Sequence, residues 1–301
     1  MKLLFCGLML LVLAVMPAAL SAHNTLFGDA PRTIWRNGLE VEADTKWELH
    51  RRFFLQDSSI GNKDDTRVQV WTFSFGLTYG IMRDFSMRVH IPVGYAVRRS
   101  KNNDLNDHYV GLKDIGVGFK YRLYNEPQPG GSFQGGVFVD FELPTAQDRG
   151  PVGLLSPKIS FGDESFRVKG GATWSFSTTR HYFWLDIAAS VGTLSDGRIK
   201  GPSINFHPAY AVRVFELTDY REFDMILLFE GDVEFVERMW FHRKRVVPSG
   251  YYKFHIGFGI QMNITNYVEV KLGYEYPIYQ YYFAPTYVHE GEAKISFNYL
   301  F

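Results

Sequence analysis

Glu40, Glu42 and Asp44 recur at every second position, as do Lys120 and Arg122 and, further on, Glu230, Asp232 and Glu234. Side chains at that spacing share one face of a β-strand. Glu48 continues the first acidic set, and Arg88, Arg98, Arg167 and Lys169 enlarge the basic one. If these faces enclose water, acidic and basic walls stand opposed and create a transverse field that orders water and selects polar or zwitterionic solutes. The same charges could instead close on one another as ion pairs that tie the walls together and plug the interior. The spacing leaves both outcomes open. Arg88, Lys120, Arg122, Glu230 and Asp232 are the foremost candidates for lining residues, with Glu40, Glu42, Asp44 and Glu234 beside them.

Other reactive groups offer little catalytic chemistry. His50, His90, His207 and His255 fall on the charged faces, but none belongs to a motif that pairs it with a nucleophile. They read as structural or lining groups rather than general bases. His23 could bind a metal through its imidazole and a free amine once it became the first residue, yet no paired site is visible. The aspartates of "NNDLND" (102–107) suit a solvated loop better than a Ca²⁺ site. No phosphate-cradling glycine loop, CxxC or HExxH is present, so no cofactor and no enzymatic activity are expected.

The elements that carry these faces are strands. Aromatics make up 17% of the 301 residues, which with abundant glycine favours strands and tight turns. Residues 1–22 have a positive start, the apolar run "LLFCGLMLLVLAVM" and the small-residue stretch "PAALSA", the pattern of a secretory signal peptide. The one cysteine, Cys6, lies inside that run, so the mature chain has no thiol. Net charge is +0, which gives no reason to expect a nucleic-acid partner. After Ala22 no stretch approaches the ~20 apolar residues of a spanning helix. A membrane would have to be crossed by strands.

About twelve alternating stretches follow between Gly38 and Phe301. Most run ten residues or more, longer than strands of soluble sheets. Short connections are expected at 82–84, 178–180 and 263–266, and moderate ones at 125–131 and 217–222. Longer polar segments at 51–67, 99–110, 145–164, 194–201, 237–250 and 280–290 alternate with them. That asymmetry is the one expected of an outer-membrane barrel, with short periplasmic turns and long outer loops. "LLSPKISFG" (154–162) could be a further strand, but an odd count would put the termini on opposite sides; it is assigned to a long loop. Twelve strands are expected, with fourteen the alternative. The final "AKISFNYLF" resembles terminal strands of such barrels and implies handling by the barrel-assembly machinery.

The solvent of each face follows from cost. Leu39, Val41, Trp47 and Leu49 must face lipid, because turning the charged side outward would cost ~2–4 kcal/mol for each midplane Lys or Arg. Inward glycines at 116, 118, 257 and 259 could admit a loop or the amino-terminal segment 23–37, which either dangles in the periplasm or folds into the lumen. Trp47, Trp71, Trp174, Trp184 and the tyrosines of 274–283 suit interfacial girdles.

Two segments resemble a known family. "YGIMRDFSMRVHIPVGY" (79–95) and "GLKDIGVGFKYRLY" (111–124), with "FELPT" (141–145) before a long loop, are similar to motifs of the bacterial outer-membrane family named for the meta-pathway of phenol degradation. The resemblance implies a channel or transporter for aromatic or other apolar small molecules, without catalytic residues.

Together these features describe an all-β, porin-like transmembrane antiparallel barrel over 38–301, placed in the outer membrane of a Gram-negative bacterium. Its expected work is passage of a small-molecule solute through a narrow charged lumen, in contact with the lipid bilayer and lipopolysaccharide. The rival readings are a lipid-modifying barrel enzyme and a non-transporting structural barrel.

Overall fold

The computed structural model describes residues 25–59, 62, 65–101, 106–146, 161, 165–195, 198–199, 201–215, 223–238, 240–241, 244–245 and 250–301. Strands β1 (Leu39–Gln56), β2 (Arg67–Met82) and β3 (Phe85–Arg99) form a meander. β4 is two runs, Asn106–Leu112 and Ile115–Gln128, which pair in turn with the two halves of β3. The meander continues through β5 (Gly131–Leu143), β6 (Arg167–Ser177), β7 (His181–Gly192), β8 (Ser203–Arg213), β9 (Asp224–Val236) and β10 (Tyr251–Asn263). The last element, Val268–Leu300, doubles back, because the Leu300 amide donates to the Tyr267 carbonyl at 2.9 Å. Its first arm, β11 (268–282), pairs with β10, and its second, β12 (286–300), pairs with β1. Twelve antiparallel strands therefore close a barrel with no free edge.

The period-2 pattern settles which side each residue takes. On β2, Phe73 and Phe75 are 50% and 49% exposed on the outer surface, whereas Val70 and Thr72, of the opposite parity, are 2% and 6% exposed inside. Large apolar side chains outside and small or polar ones inside suit hydrocarbon around a hydrated interior. Phe73→Arg is therefore expected to cost about 2–4 kcal/mol of barrel stability in lipid. Guanidinium unfolding in bilayer vesicles measures this, and an unchanged midpoint would contradict the outward assignment.

Several connections differ from expectation. The strand pairing of β4 with β5 persists to Gln128 and Gly131, so the moderate connection expected at 125–131 shortens to a two-residue turn at Pro129–Gly130. Gly130 takes φ +79°, which a residue with a Cβ adopts poorly. Parts of the expected loops 51–67 and 280–290 are strand, since Phe53 and Phe54 face Tyr287 and Thr286 across the ladder. Aromatic residues suit a pleated cross-strand pairing there, with the Phe53 ring centre 5.1 Å from that of Tyr287. The turn expected at 217–222 and nearly all of 154–162 lie outside the described residues. Short strands Leu194–Ser195, Arg198–Ile199, Trp240–Phe241 and Lys244–Arg245 join the loops after β7 and β9 in a small separate sheet.

Two aromatic assignments are corrected. Trp184 is 5% exposed and faces the lumen, stacked 5.7 Å from Tyr182, because it has the inward parity of β7. Tyr282 is also inward, and its hydroxyl donates to Gln280 Oε1 at 2.7 Å. Tyr274, Tyr276 and Tyr279 remain on the outer surface.

Candidate functional site in the lumen

Residues 25–37 run inside the barrel at the end where the tight turns lie. Asn37 holds φ 64°, and its amide donates to the Gly80 carbonyl at 2.7 Å, which turns the chain from β1 into the interior. Thr33 Oγ1 then donates to the Arg83 carbonyl at 3.1 Å. Leu26 and Ala30 pack on Tyr182, Trp184, Ala209, Ala211, Ile226 and Leu228, with Phe27 alongside. Small residues opposite make room: a methyl group on Gly257 would lie 3.1 Å from Phe27, and one on Gly259 would lie 3.1 Å from Leu26.

A segment with no strand partner must find other partners for its backbone. The Leu26 and Phe27 amides donate to the two Glu230 carboxylate oxygens at 2.6 and 2.9 Å, and the Asp29 amide donates to Asp186 at 3.2 Å. Its carbonyls are served by lysines: Lys271 donates to Thr25 at 3.2 Å, Lys294 to Leu26 at 3.0 Å and Lys120 to Ala30 at 2.8 Å. Asp29 adds charge, 2.7 Å from Arg88 and bonded to Lys120 Nζ. Burial alone would raise the Asp29 carboxyl, but Arg88 and Lys120 hold it well below the usual carboxylate range.

The nine candidate lining residues all fall on inward positions of the ladder, but they do not form two free opposed walls. Arg88 joins Asp29 to Asp140, with Nη2 2.5 Å from Asp140 Oδ2, and Lys120 serves the amino-terminal segment. Arg122 lies at the turn rim against Asp84 at 2.6 Å. Asp44 pairs with Lys294 at 3.1 Å, and Glu234 with Lys253 at 3.4 Å. Glu40 and Glu42 line a cavity of about 140 Å³ beneath Thr25–Ala30. Glu230 is committed to the segment and lies 3.2 Å from His207 Nε2. Asp232 faces the part of the lumen beyond it, 4.0 Å from His255. Of the wider basic set, Arg98 meets Asp107 at 2.7 Å and Arg167 meets Glu142 at 3.4 Å. A transverse field between unpaired walls is thus replaced by local neutralisation, since buried charge is tolerated only when paired.

The opposite end narrows too. Phe161 is buried on Val68, Val70 and Ala96, its ring centre 4.9 Å from Tyr109. His50, opposite Val68 of that cluster, is followed inward by His289 and His255, with successive ring centres 5.5 and 5.4 Å apart. His289 escapes a period-2 reading, because the β1–β12 register shifts between Leu49, opposite Gly291, and His50, opposite His289. That bulge reverses parity beyond Gly291. Asp29 lies in a stretch without alternation, where only the apolar pair Leu26-Phe27 in a polar run hints at burial.

No protein-family model and no curated protein matches this chain in sequence. Its architecture does match solved structures. The COG4313 outer membrane channel from Pseudomonas putida F1 superposes with a TM-score of 0.69 at 10% identity, over 95% of this chain and 100% of that one. The fold is that of an outer-membrane β-barrel. The β domain of the Bordetella autotransporter Brka covers 87% of this chain and 99% of its own, at 11% identity and a TM-score of 0.46. OccAB1 from Acinetobacter baumannii covers 91% and 99%, at 9% identity and 0.36.

Proposed function

We propose that this barrel is an outer-membrane channel for small molecules, closed at rest by its own amino-terminal segment. The observation that carries the reading is the way that segment is held. Polar bonds from Glu230, Asp186, Lys120, Lys271 and Lys294, rather than a strand ladder, fix it across a lumen lined by ionisable groups. Such bonds exchange readily with water, so the segment can leave without breaking the barrel. Aromatic or other apolar compounds are the solute class that the resemblance to the meta-pathway family implies. Export by removal of residues 1–22, insertion by the barrel-assembly machinery and contact with lipopolysaccharide belong to the same reading.

Planar bilayers test it. The purified chain is expected to give small discrete current steps, and Asp232→Asn is expected to lower the preference for cations, because its carboxylate faces the open chamber. A barrel that passes no current, even with its amino-terminal segment removed, is a structural one. The closure by Phe161 at the far end is the feature that favours that second reading.

A further inference from the structure

Beyond the amino-terminal segment, β9, β10 and β11 bring together an arrangement that solute passage does not require. His255 Nδ1 lies 2.7 Å from Glu275 Oε1 and 4.0 Å from Asp232 Oδ2, and one donor atom from each of the three lies within 4.8 Å of the others. His289 stands next to them, its ring centre 5.4 Å from that of His255. His50 follows at 5.5 Å on the other side of His289. Imidazole nitrogen with carboxylate oxygen is the donor set of borderline divalent ions such as Zn²⁺, Co²⁺ and Ni²⁺.

The hydrogen bonds of these rings supply a second, independent sign. His255 Nε2, His289 Nε2 and His50 Nδ1 have no hydrogen-bond partner, in residues that are 5%, 5% and 8% exposed. Buried ring nitrogens ordinarily find partners, so three in one row need an explanation. A cation with His289 as a further ligand provides one for His289 Nε2, while His255 meets Asp232 and Glu275 through Nδ1. Both carboxylates face His255 Nδ1, so an ion held by all three residues takes the place of the proton now shared between that nitrogen and Glu275. The spacing of His255 and His289 also fits. Two imidazoles on one tetrahedral ion stand roughly 5 Å apart centre to centre, given metal–nitrogen bonds of ~2.1 Å.

A neighbouring set, Glu48, His289 and Glu292, has the same donor types. It already holds a cation, since Lys46 Nζ lies 3.4 Å from Glu48 and 2.7 Å from Glu292. Among the described residues no lysine or arginine nitrogen pairs with Asp232 or Glu275 in that way. We propose that Asp232, His255 and Glu275 bind a first-row divalent transition-metal ion of the Zn²⁺ class in the lumen, with His289 placed to join as a further ligand.

Calorimetric titration of the tag-free protein in detergent with Zn²⁺ tests this, and Co²⁺ absorption reports the coordination. One saturable site per chain is expected. His255→Gln and Asp232→Asn should each weaken it by at least about tenfold. His181→Gln, at the turn rim where the ring bonds the Tyr210 hydroxyl, should leave it unchanged. Each variant is first shown to keep the heat-dependent gel shift of a folded barrel; Asp232, whose side chain is 23% exposed, is the substitution that perturbs packing less. Wild-type binding no tighter than that of both variants overturns the proposal. So does binding that survives both and tightens in Lys46→Gln, which would place the ion at Glu48 and Glu292. A chain that conducts but binds no Zn²⁺ loses this proposal alone, and one that binds Zn²⁺ but never conducts loses only the channel reading.

Discussion

Deleting residues 25–36 should raise single-channel conductance by about tenfold or more, because a twelve-strand barrel has an interior wider than side chains alone fill. The deleted stretch removes Leu26 and Phe27 from the face made by Tyr182, Trp184 and Leu228, and it frees Glu230, Lys120 and Lys294 to face water. None of the ladder hydrogen bonds that close the barrel involves these residues, since pairing begins at Leu39 and Glu40. The truncated chain should therefore still show the heat-dependent mobility of a folded barrel, with some loss of stability from uncovering Trp184 and Tyr182. Currents through wild-type and truncated protein are compared in the same bilayers. If truncation leaves them equal, the segment does not close the lumen, and Phe161 becomes the element to remove next.

How far all this could be read in advance depends on what each feature needs. The barrel needs only alternation, and alternation survives in a single sequence: the outward series Phe73, Phe75, Leu77 and the inward series Thr72, Ser74, Gly76 require no knowledge of their neighbours. Strand count, antiparallel order and most tight turns follow from the same signal. What failed were features set by pairing across the ladder. Gly130 turns the chain in two residues because the partners at Gln128 and Gly131 hold register, and His289 points inward because a bulge opposite His50 shifts it. Trp184 was legible by parity but reads as a girdle residue by type. The lumen charges were legible as inward groups and illegible as pairs. Asp44 finds Lys294 only because β12 closes on β1, and Arg88 finds Asp29 only because the amino-terminal segment enters the barrel.

Asp29→Asn should loosen that segment without removing it. Taking one member from a buried ion pair typically costs about 3–5 kcal/mol, because the remaining charge loses its partner. Here the cost is smaller, since Arg88 is one-third exposed and keeps Asp140, so about 2–3 kcal/mol is expected. At 1.4 kcal/mol per factor of ten, the undocked population grows by about 30–140-fold. The amides of Leu26 and Phe27, now bonded to Glu230, report it through hydrogen exchange, which should accelerate by the same factor. The pH dependence has a definite sign. A carboxyl held below its ordinary range by Arg88 and Lys120 contributes docking strength that is fully present above that range and is lost only as pH falls through the lowered value. Wild-type protein should therefore keep its segment docked through mildly acidic conditions, whereas Asp29→Asn lacks the contribution at every pH. Exchange at Leu26 and Phe27 that is unchanged by the substitution would mean that the apolar contacts with Trp184 and Leu228 and the Glu230 bonds hold the segment unaided, and that Asp29 serves only to neutralise Arg88 and Lys120.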